Sequence, residues 1–181
     1  MPRHVPTPVL TDGVIRLETI SRAHLDGLAG LLRDPEVIRN TRVPDPPDDG
    51  FEERWLEVYE TGAVDGTRDG YAISDAETGE FLGLAGLVAI EPDANQGEIG
   101  YVVVPEARGR GIATRALRLV TDYALGEVGL ERVQLLINAD NEASIAVAER
   151  CGYRREGVFR SLYMKPGRRA DMVVYARLPG D

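Results

Sequence analysis

A strand, a glycine turn and a helix follow one another without interruption between Glu98 and Ala124, and few folds accommodate that order. Glu98 to Val104 is predicted to be a strand, which Pro105 ends because proline has no N–H to continue a ladder. The turn Gly109-Arg110-Gly111 comes next, and the apolar residues after it recur at helical spacing: Ile112, Ala116, Val120 and Ala124. This succession predicts an α/β fold.

The glycine turn is typical of a site for a diphosphate. Two glycines one residue apart let successive backbone N–H groups point into one space, and the following helix adds unpaired donors and its positive end. A favourable charge at a helix start contributes only about 0.3–1 kcal/mol. Several N–H groups must therefore act together, with Arg108, Arg110 and Arg115 nearby.

Three interpretations of this turn compete. The glycines could form only a tight connection, with the arginines solvated. They could open a dinucleotide-binding motif, but Thr114 occupies the place of its third glycine and Glu131 precedes the next strand instead of following it. The third interpretation is coenzyme A, whose diphosphate needs the same cradle.

The remaining elements are predicted to surround this unit in one domain, residues 1–181. Strands are predicted at Val14 to Thr19, Tyr71 to Asp75, Phe81 to Ile90, Arg132 to Asn138, Val158 to Tyr163 and Met172 to Arg177. Helices are predicted at Ser21 to Arg33, at Glu52 to Thr61 with Gly62 as C-terminal cap, and at Glu142 to Cys151 with Gly152 as cap. Strands before and after helices predict a mixed sheet.

Composition excludes several classes of protein. The 43 % hydrophobic and 28 % charged residues argue against disorder, and a net charge of −9 disfavours binding to nucleic acid. No apolar run approaches the roughly 20 residues that cross a bilayer, and Met1 to Gly13 carries prolines where a signal peptide would be apolar. Cys151, with only His4 and His24 beside it, predicts neither a disulfide nor a metal site. A cytoplasmic protein without a membrane partner is expected.

The order of motifs resembles the GNAT superfamily of N-acetyltransferases, most closely its Rim-type branch, which acetylates protein N-termini. The family's cofactor motif, Arg/Gln-x-x-Gly-x-Gly/Ala, is matched by Arg108, Gly111 and Ala113. Asn141-x-x-Ser144 and Cys151-Gly152-Tyr153 follow in the family's order. The resemblance is strong from Glu98 to Tyr153 and looser from Val14 to Leu178. It implies a twisted mixed sheet flanked by helices, and dimerisation is common in the family.

The resemblance implies that acetyl-CoA lies in an opening between two parallel strands, here Glu98 to Val104 and Arg132 to Asn138. Backbone N–H groups around Val102 and Val104 would then meet the pantetheine arm and the acetyl carbonyl and stabilise its developing charge. The implied cofactor-binding residues are Val102, Val103, Val104, Arg108, Gly109, Arg110, Gly111, Ile112, Ala113, Thr114, Asn141 and Ser144.

The departing thiolate needs a proton or a hydrogen bond. The family often supplies it from a tyrosine seven residues after the asparagine, but that position is Ala148 here. The Rim-type branch implies Ser144 near the sulfur and Asn141 on the pantetheine amide. Both residues could equally cap the helix that leads to Cys151, and the two roles are compatible.

The attacking amine must be neutral, which favours some acceptors over others. About a tenth of an α-amino group is neutral at pH 7, whereas a lysine is neutral less than about one time in a thousand. Glu98 is the candidate general base, acting through water, and such bases contribute about 10²–10⁴-fold. The alternative is that Glu98 is a solvent-facing strand residue.

The segment Arg39 to Glu53 covers the cleft in the family and is expected to meet the acceptor. Its carboxylates could attract a cationic acceptor or be merely solvated: Asp45, Asp48, Asp49, Glu52 and Glu53. The aromatic residues Tyr101, Tyr153, Trp55 and Tyr59 are expected to pack without chemical roles, and Cys151 to pack as a small hydrophobe.

The expected function is therefore direct acetyl transfer from acetyl-CoA to a primary amine, without a metal. A basic protein or peptide N-terminus is the favoured acceptor. Acetylation of a small amine or an aminoglycoside-type antibiotic is one alternative. A coenzyme A-binding sensor without catalysis is another.

Overall fold

Eight strands and five α-helices make up the computed structural model, which describes residues 7–181. The strands are β1 (Leu10–Thr11), β2 (Ile15–Thr19), β3 (Asp69–Asp75), β4 (Phe81–Glu91), β5 (Gln96–Val103), β6 (Arg132–Asn138), β7 (Arg154–Lys165) and β8 (Arg168–Arg177). The helices are α1 (Leu25–Leu31), α2 (Pro35–Asn40), α3 (Phe51–Asp65), α4 (Ile112–Gly126) and α5 (Glu142–Arg150). His4, and half of the segment examined for a signal peptide, lie outside the described residues.

All eight strands form one sheet in the order β1-β2-β3-β4-β5-β6-β8-β7. Strands β5 and β6 pair in parallel, and the other neighbours pair antiparallel. The predicted mixed sheet and α/β fold are thus confirmed. Between residues 7 and 181, no helix combines the length and apolarity needed to span a membrane.

The sheet separates two apolar cores. Helices α4 and α5 cover one face, which we call the α4 face, where Ile99 and Val103 of β5 pack with Leu117. Helices α1 and α3 cover the opposite face, the α3 face, where Val102 packs against a cluster that includes Leu28, Leu31, Leu56 and Tyr59. Because side chains alternate along a strand, Tyr101 shares the α4 face, and Glu98 and Gly100 share the α3 face.

The C-terminal cap predicted for α3 is wrong. The helix continues through Gly62 to Asp65 and ends at Gly66, whose φ of 73° is left-handed. Gly62 is buried inside the helix, where an added Cβ would lie 2.7 Å from the Cβ of Arg68. The glycine at position 62 is therefore required by close packing and not by a turn.

Two short elements, β1 and α2, were not predicted. Helix α2 begins at Pro35 after a three-residue connection from α1, and the Asp34 side chain accepts a hydrogen bond from the Val37 N–H at 3.1 Å. The helix predicted at Ser21 to Arg33 ends at Leu31, and Asp34-Pro35 begins the next helix. An N-cap aspartate followed by proline is a helix-start signal.

Candidate active site

Strands β5 and β6 part after three residue pairs. The parallel ladder comprises Gln96 with Arg132, Gly97 with Val133 and Glu98 with Gln134. Beyond these pairs a cavity of about 770 Å³ lies between the strands, lined by residues 98–103 of β5 and 135–138 of β6. Its volume is in the range of ligand pockets. The expected opening, which we call the slot, is present.

The strand amides that face the slot differ from those expected. The Val104 N–H donates to the Leu82 carbonyl of β4 at 2.9 Å. Hydrogen-bonded pairs alternate along an antiparallel ladder, so the Val102 amide is directed to Leu84 of β4 as well. The amides of Tyr101 and Val103 point the other way, toward the slot. The expectation of free amides at Val102 and Val104 is therefore wrong by one residue.

The glycine turn is open toward the same cavity. Gly109 and Gly111 line it with φ values of 73° and 76°, and an added Cβ on either would meet no atom within 4 Å. The first hydrogen bond of α4 runs from the Arg115 N–H to the Gly111 carbonyl. The N–H groups at the start of the helix therefore have no acceptor within it: Ile112, Ala113 and Thr114.

Two of the three arginines expected near the diphosphate are paired with carboxylates. Arg108 donates to Asp34 at 2.6 Å and to the Val103 carbonyl at 3.1 Å, and Arg115 donates to Asp12 at 2.5 Å. The proposal that both are merely solvated is therefore wrong. Main-chain donors are therefore better placed to hold an anion than the side chains of Arg108 and Arg115. Two residues expected to bind the cofactor, Arg110 and Val104, do not line the cavity.

Asn141 and Ser144 line the slot from the start of α5. The Asn141 side chain accepts from the Ser144 N–H at 3.2 Å, which confirms its role as helix cap. The Tyr101 hydroxyl reaches across and donates to the Ser144 carbonyl at 3.3 Å. Ala148, at the position of the family's tyrosine, is fully buried.

Glu98 lies at the vertex of the slot, in the last residue pair before the strands part. Its side chain is half-buried on the α3 face and lines the cavity, so it is not an outer-surface residue. Burial raises the pKa of the carboxyl group. A hydrogen bond with Gln134 and the charges of Arg42 and Arg68 partly oppose that shift. A proton acceptor that titrates above the usual carboxylate range suits general base catalysis.

The aromatic face of α3 forms a wall of the cavity, whereas the sequence favoured mere packing on a helix face for Trp55 and Tyr59. Trp55 and Tyr59 both line the cavity, with ring centroids 4.3 Å apart. Burial raises the pKa of Tyr59 to about 12, and the charges of Arg68 and Glu98 act on it in opposite directions. Gly70 of β3 makes room for this ring, because an added Cβ would lie 2.5 Å from it.

The other packing assignments agree with the structure. The Tyr153 hydroxyl lies 2.7 Å from the Thr121 hydroxyl in the core, and Cys151 is buried nearby. Tyr101 packs against the α4 face, as expected, but also lines the slot.

Helix α2 crosses the slot on the α3 face and is anchored at both ends. Its N-cap residue, Asp34, binds Arg108 beside the glycine turn. At its other end, the side chain of Asn138 of β6 donates to that of Asn40 at 3.0 Å. Lys165 of β7, which is 7 % exposed, donates to the carbonyls of Ile38 and Val43. The helix therefore forms a roof over the slot on the α3 face.

The acidic side chains after α2 lie outside the cavity. Two of the five are paired, Asp48 with Arg54 at 2.6 Å and Glu52 with Arg33 at 3.3 Å. None of the five lines the cavity: Asp45, Asp48, Asp49, Glu52 and Glu53. Any attraction they exert on a cationic acceptor acts from outside it.

Known proteins share this sequence pattern. The chain matches the acetyltransferase (GNAT) domain family over residues 15–154. It is 31 % identical to the uncharacterized N-acetyltransferase YoaA of Bacillus subtilis over 59 % of this chain and 60 % of YoaA. It is 34 % identical to the spermidine N(1)-acetyltransferase of Escherichia coli over 44 % of this chain and 42 % of that enzyme. The chain thus spans less than two thirds of either relative.

Solved structures share the fold over nearly the whole chain. The ribosomal α-N-protein acetyltransferase RimL, in complex with coenzyme A, superposes with a TM-score of 0.85 at 21 % identity. The match covers 94 % of this chain and 98 % of that one. The likeness to solved structures shows the fold, and the match over residues 15–154 establishes that the chain belongs to the GNAT acetyltransferase family.

Proposed function

We propose that this protein transfers an acetyl group from acetyl-CoA to a primary amine, with a peptide N-terminus as the favoured acceptor. The observation that carries the proposal is the slot between β5 and β6, which lies beside the open glycine turn and has Glu98 at its vertex. Family membership supports the same reaction.

The chain's residues fit coenzyme A in three places. The N–H groups of Gly109 and of residues 111–114 bind the diphosphate, in the space that an added Cβ on Gly109 or Gly111 would enter. The Val103 amide, nearer the glycine turn along β5, binds the pantetheine arm in the slot, and the Asn141 side chain holds the amide of that arm. Acetyl-CoA, when bound, supplies a thioester carbonyl open to attack by the amine.

Three groups serve the chemistry. The Tyr101 amide, nearer the vertex of the slot, donates to the carbonyl oxygen as negative charge develops on it. Glu98 accepts the proton of the amine through water, from the α3 face. The Ser144 hydroxyl donates to the departing sulfur. Because the slot holds both reactants in contact, much of the acceleration comes from their positioning.

The preference for a peptide N-terminus follows from the low pKa of its α-amino group. An α-amino group is about a tenth neutral at pH 7, so a single half-buried carboxylate suffices as its base. The fold shared with the ribosomal-protein enzyme is compatible with this choice. The similarity to a spermidine acetyltransferase supports a second candidate, a small amine.

The test is an acetyl-CoA assay that follows free thiol over three groups of acceptors: peptides with free termini, polyamines and aminoglycosides. Mass spectrometry then locates the acetyl group. Acetylation of peptide α-amino groups is the expected result. Coenzyme A binding without turnover on any amine would contradict the proposal and favour a sensor.

A further inference from the structure

The part of the cavity on the α3 face, which we call its acceptor side, has an aromatic wall. Phe51, Trp55 and Tyr59 are spaced four residues apart along α3, so they present one face, and all three line the cavity. The rings of Trp55 and Tyr59 pack at 35° to each other. Aromatic side chains bury large apolar areas and bind planar or apolar groups well.

The remaining walls of this side are also apolar. Val37 and Val43 line it from the roof, and each is about 95 % buried. Leu162, Met164 and Met172 line it from the β7–β8 hairpin. Met172 pairs with Asn138, so it shares the face of the sheet that α2 covers. Methionine side chains adapt to apolar groups of varied shape.

The charges on the cavity wall do not favour a polycation. Among the described residues that line it, the carboxylates are Glu36 and Glu98, and the arginines are Arg42, Arg108 and Arg150. The Glu36 side chain is 71 % exposed, so solvent screens its charge, and it lies 3.6 Å from Arg108. Glu98 can therefore pair with one ammonium group. A second ammonium group would lose its hydration against apolar side chains and would have no carboxylate partner in the cavity.

We infer that the acceptor carries an apolar or aromatic group next to its reacting amine, and that this group packs on Phe51, Trp55 and Tyr59. The inference rests on the proposed function. Two sources offer this chemistry: a peptide whose first residue is apolar, and a small arylalkylamine.

The experiment compares peptides that differ only in the first residue, which is Phe, Leu, Ser or Lys, and adds phenethylamine and spermidine. We expect kcat/KM for the Phe and Leu peptides to exceed that for the Ser and Lys peptides by about 10- to 100-fold. Turnover of phenethylamine alone among all acceptors would support the apolar pocket and assign the source to small amines.

The variant Trp55→Ala tests where the preference originates. It is expected to reduce the Phe-to-Ser ratio of kcat/KM to below about threefold, while Val58→Ala, on an exposed part of the same helix, leaves the ratio unchanged. The ratio is measured within one preparation, so a partly unfolded variant does not distort it.

Two results would overturn the inference in distinguishable ways. Preferred turnover of spermidine or of the Lys peptide would contradict the apolar acceptor and leave acetyl transfer intact. Absence of thiol release with every amine, in a protein that binds coenzyme A, would contradict the proposed function itself.

Discussion

At the scale of single residues, Gly109 has a matched counterpart in Gly66. Both have a φ of 73°, and an added Cβ on either meets no atom within 4 Å, but only Gly109 lines the cavity. We expect Gly109→Ala and Gly66→Ala to lower the free energy of unfolding equally, by about 1–2 kcal/mol, because alanine resists the left-handed conformation.

Only Gly109→Ala is expected to raise the Kd of coenzyme A, by tenfold or more, because its methyl group enters the space of the diphosphate. Calorimetric titration of both variants measures this difference. Equal affinities would show that the turn does not approach the ligand.

Glu98 links activity, stability and pH. We expect Glu98→Gln to lower kcat about 10²–10⁴-fold and to remove the acidic limb of the pH profile. In the wild-type protein this limb lies above the usual carboxylate range, because burial raises the pKa of Glu98. Glu91→Gln, at an exposed carboxylate on β4, is the control and is expected to retain the limb.

The same substitution is expected to preserve or raise Tm at pH 7. A carboxyl group whose folded pKa is raised stabilises the protein below its unfolded pKa, and that contribution is lost as pH rises through the folded value. The ionised Glu98 therefore costs stability at neutral pH, and glutamine removes this cost. A lower Tm at pH 7 would show that the carboxylate is needed for folding.

Substitutions at Ser144 distinguish a catalytic role of its hydroxyl from a capping role at the start of α5. Its backbone N–H, not its hydroxyl, makes the cap with Asn141, so Ser144→Ala leaves the cap in place. We expect acetyl transfer to slow at least several-fold with coenzyme A affinity nearly unchanged, and Ser144→Thr, which keeps a hydroxyl, to recover most of the rate. Unaltered turnover in the alanine variant would remove Ser144 from the mechanism.

At the scale of elements, the α2 roof depends on Lys165. The variant Lys165→Met leaves the buried carbonyls of Ile38 and Val43 without their donor, at a cost of about 1–3 kcal/mol each. We expect Tm to fall and the KM of the acceptor to rise several-fold. The Kd of coenzyme A is expected to stay constant, since Lys165 does not contact the glycine turn.

The control for this substitution is Arg160→Met, at an exposed position on the same strand. Hydrogen exchange of residues 35–46 is expected to accelerate in Lys165→Met and not in the control. A Tm that falls without any change in acceptor KM would make Lys165 purely structural.

At the scale of the whole molecule, the slot leaves the facing edges of β5 and β6 unpaired with each other, although each strand stays paired with its other neighbour. A ligand that bridges them is expected to stabilise the entire fold. Coenzyme A at 100 times its Kd contributes about 2.7 kcal/mol, which for a chain of this length raises Tm by roughly 5–10 °C. Thermal unfolding with and without coenzyme A measures the shift, and an unchanged Tm would contradict binding in the slot.

The local elements of the site were predictable because their causes lie close together in the chain. Gly109 and Gly111 adopt the left-handed conformation that glycine favours, and Asn141 caps the helix that follows it. Strand β6 has the predicted bounds, Arg132 to Asn138. Each of these features depends on residues within a few positions of one another.

The features that the sequence did not reveal depend on pairing between distant segments. The direction of the Val102 and Val104 amides is set by the register of β5 on β4, and a shift of one residue reverses it. Trp55 and Tyr59 line the cavity because α3 packs beside the slot. The partner of Arg108 is Asp34, 74 positions away.

By itself, the amino-acid sequence determined the α/β fold, the glycine turn, the cap of α5 and the resemblance to a family. Short-range backbone preferences and side-chain periodicity are enough to specify these. The tertiary structure alone decided which amides face the slot, how α2 covers it and that its wall on the α3 face is apolar. These features depend on the relative positions of β4, β5, α2 and α3. The spacing of residues along one segment does not specify where another segment packs against it.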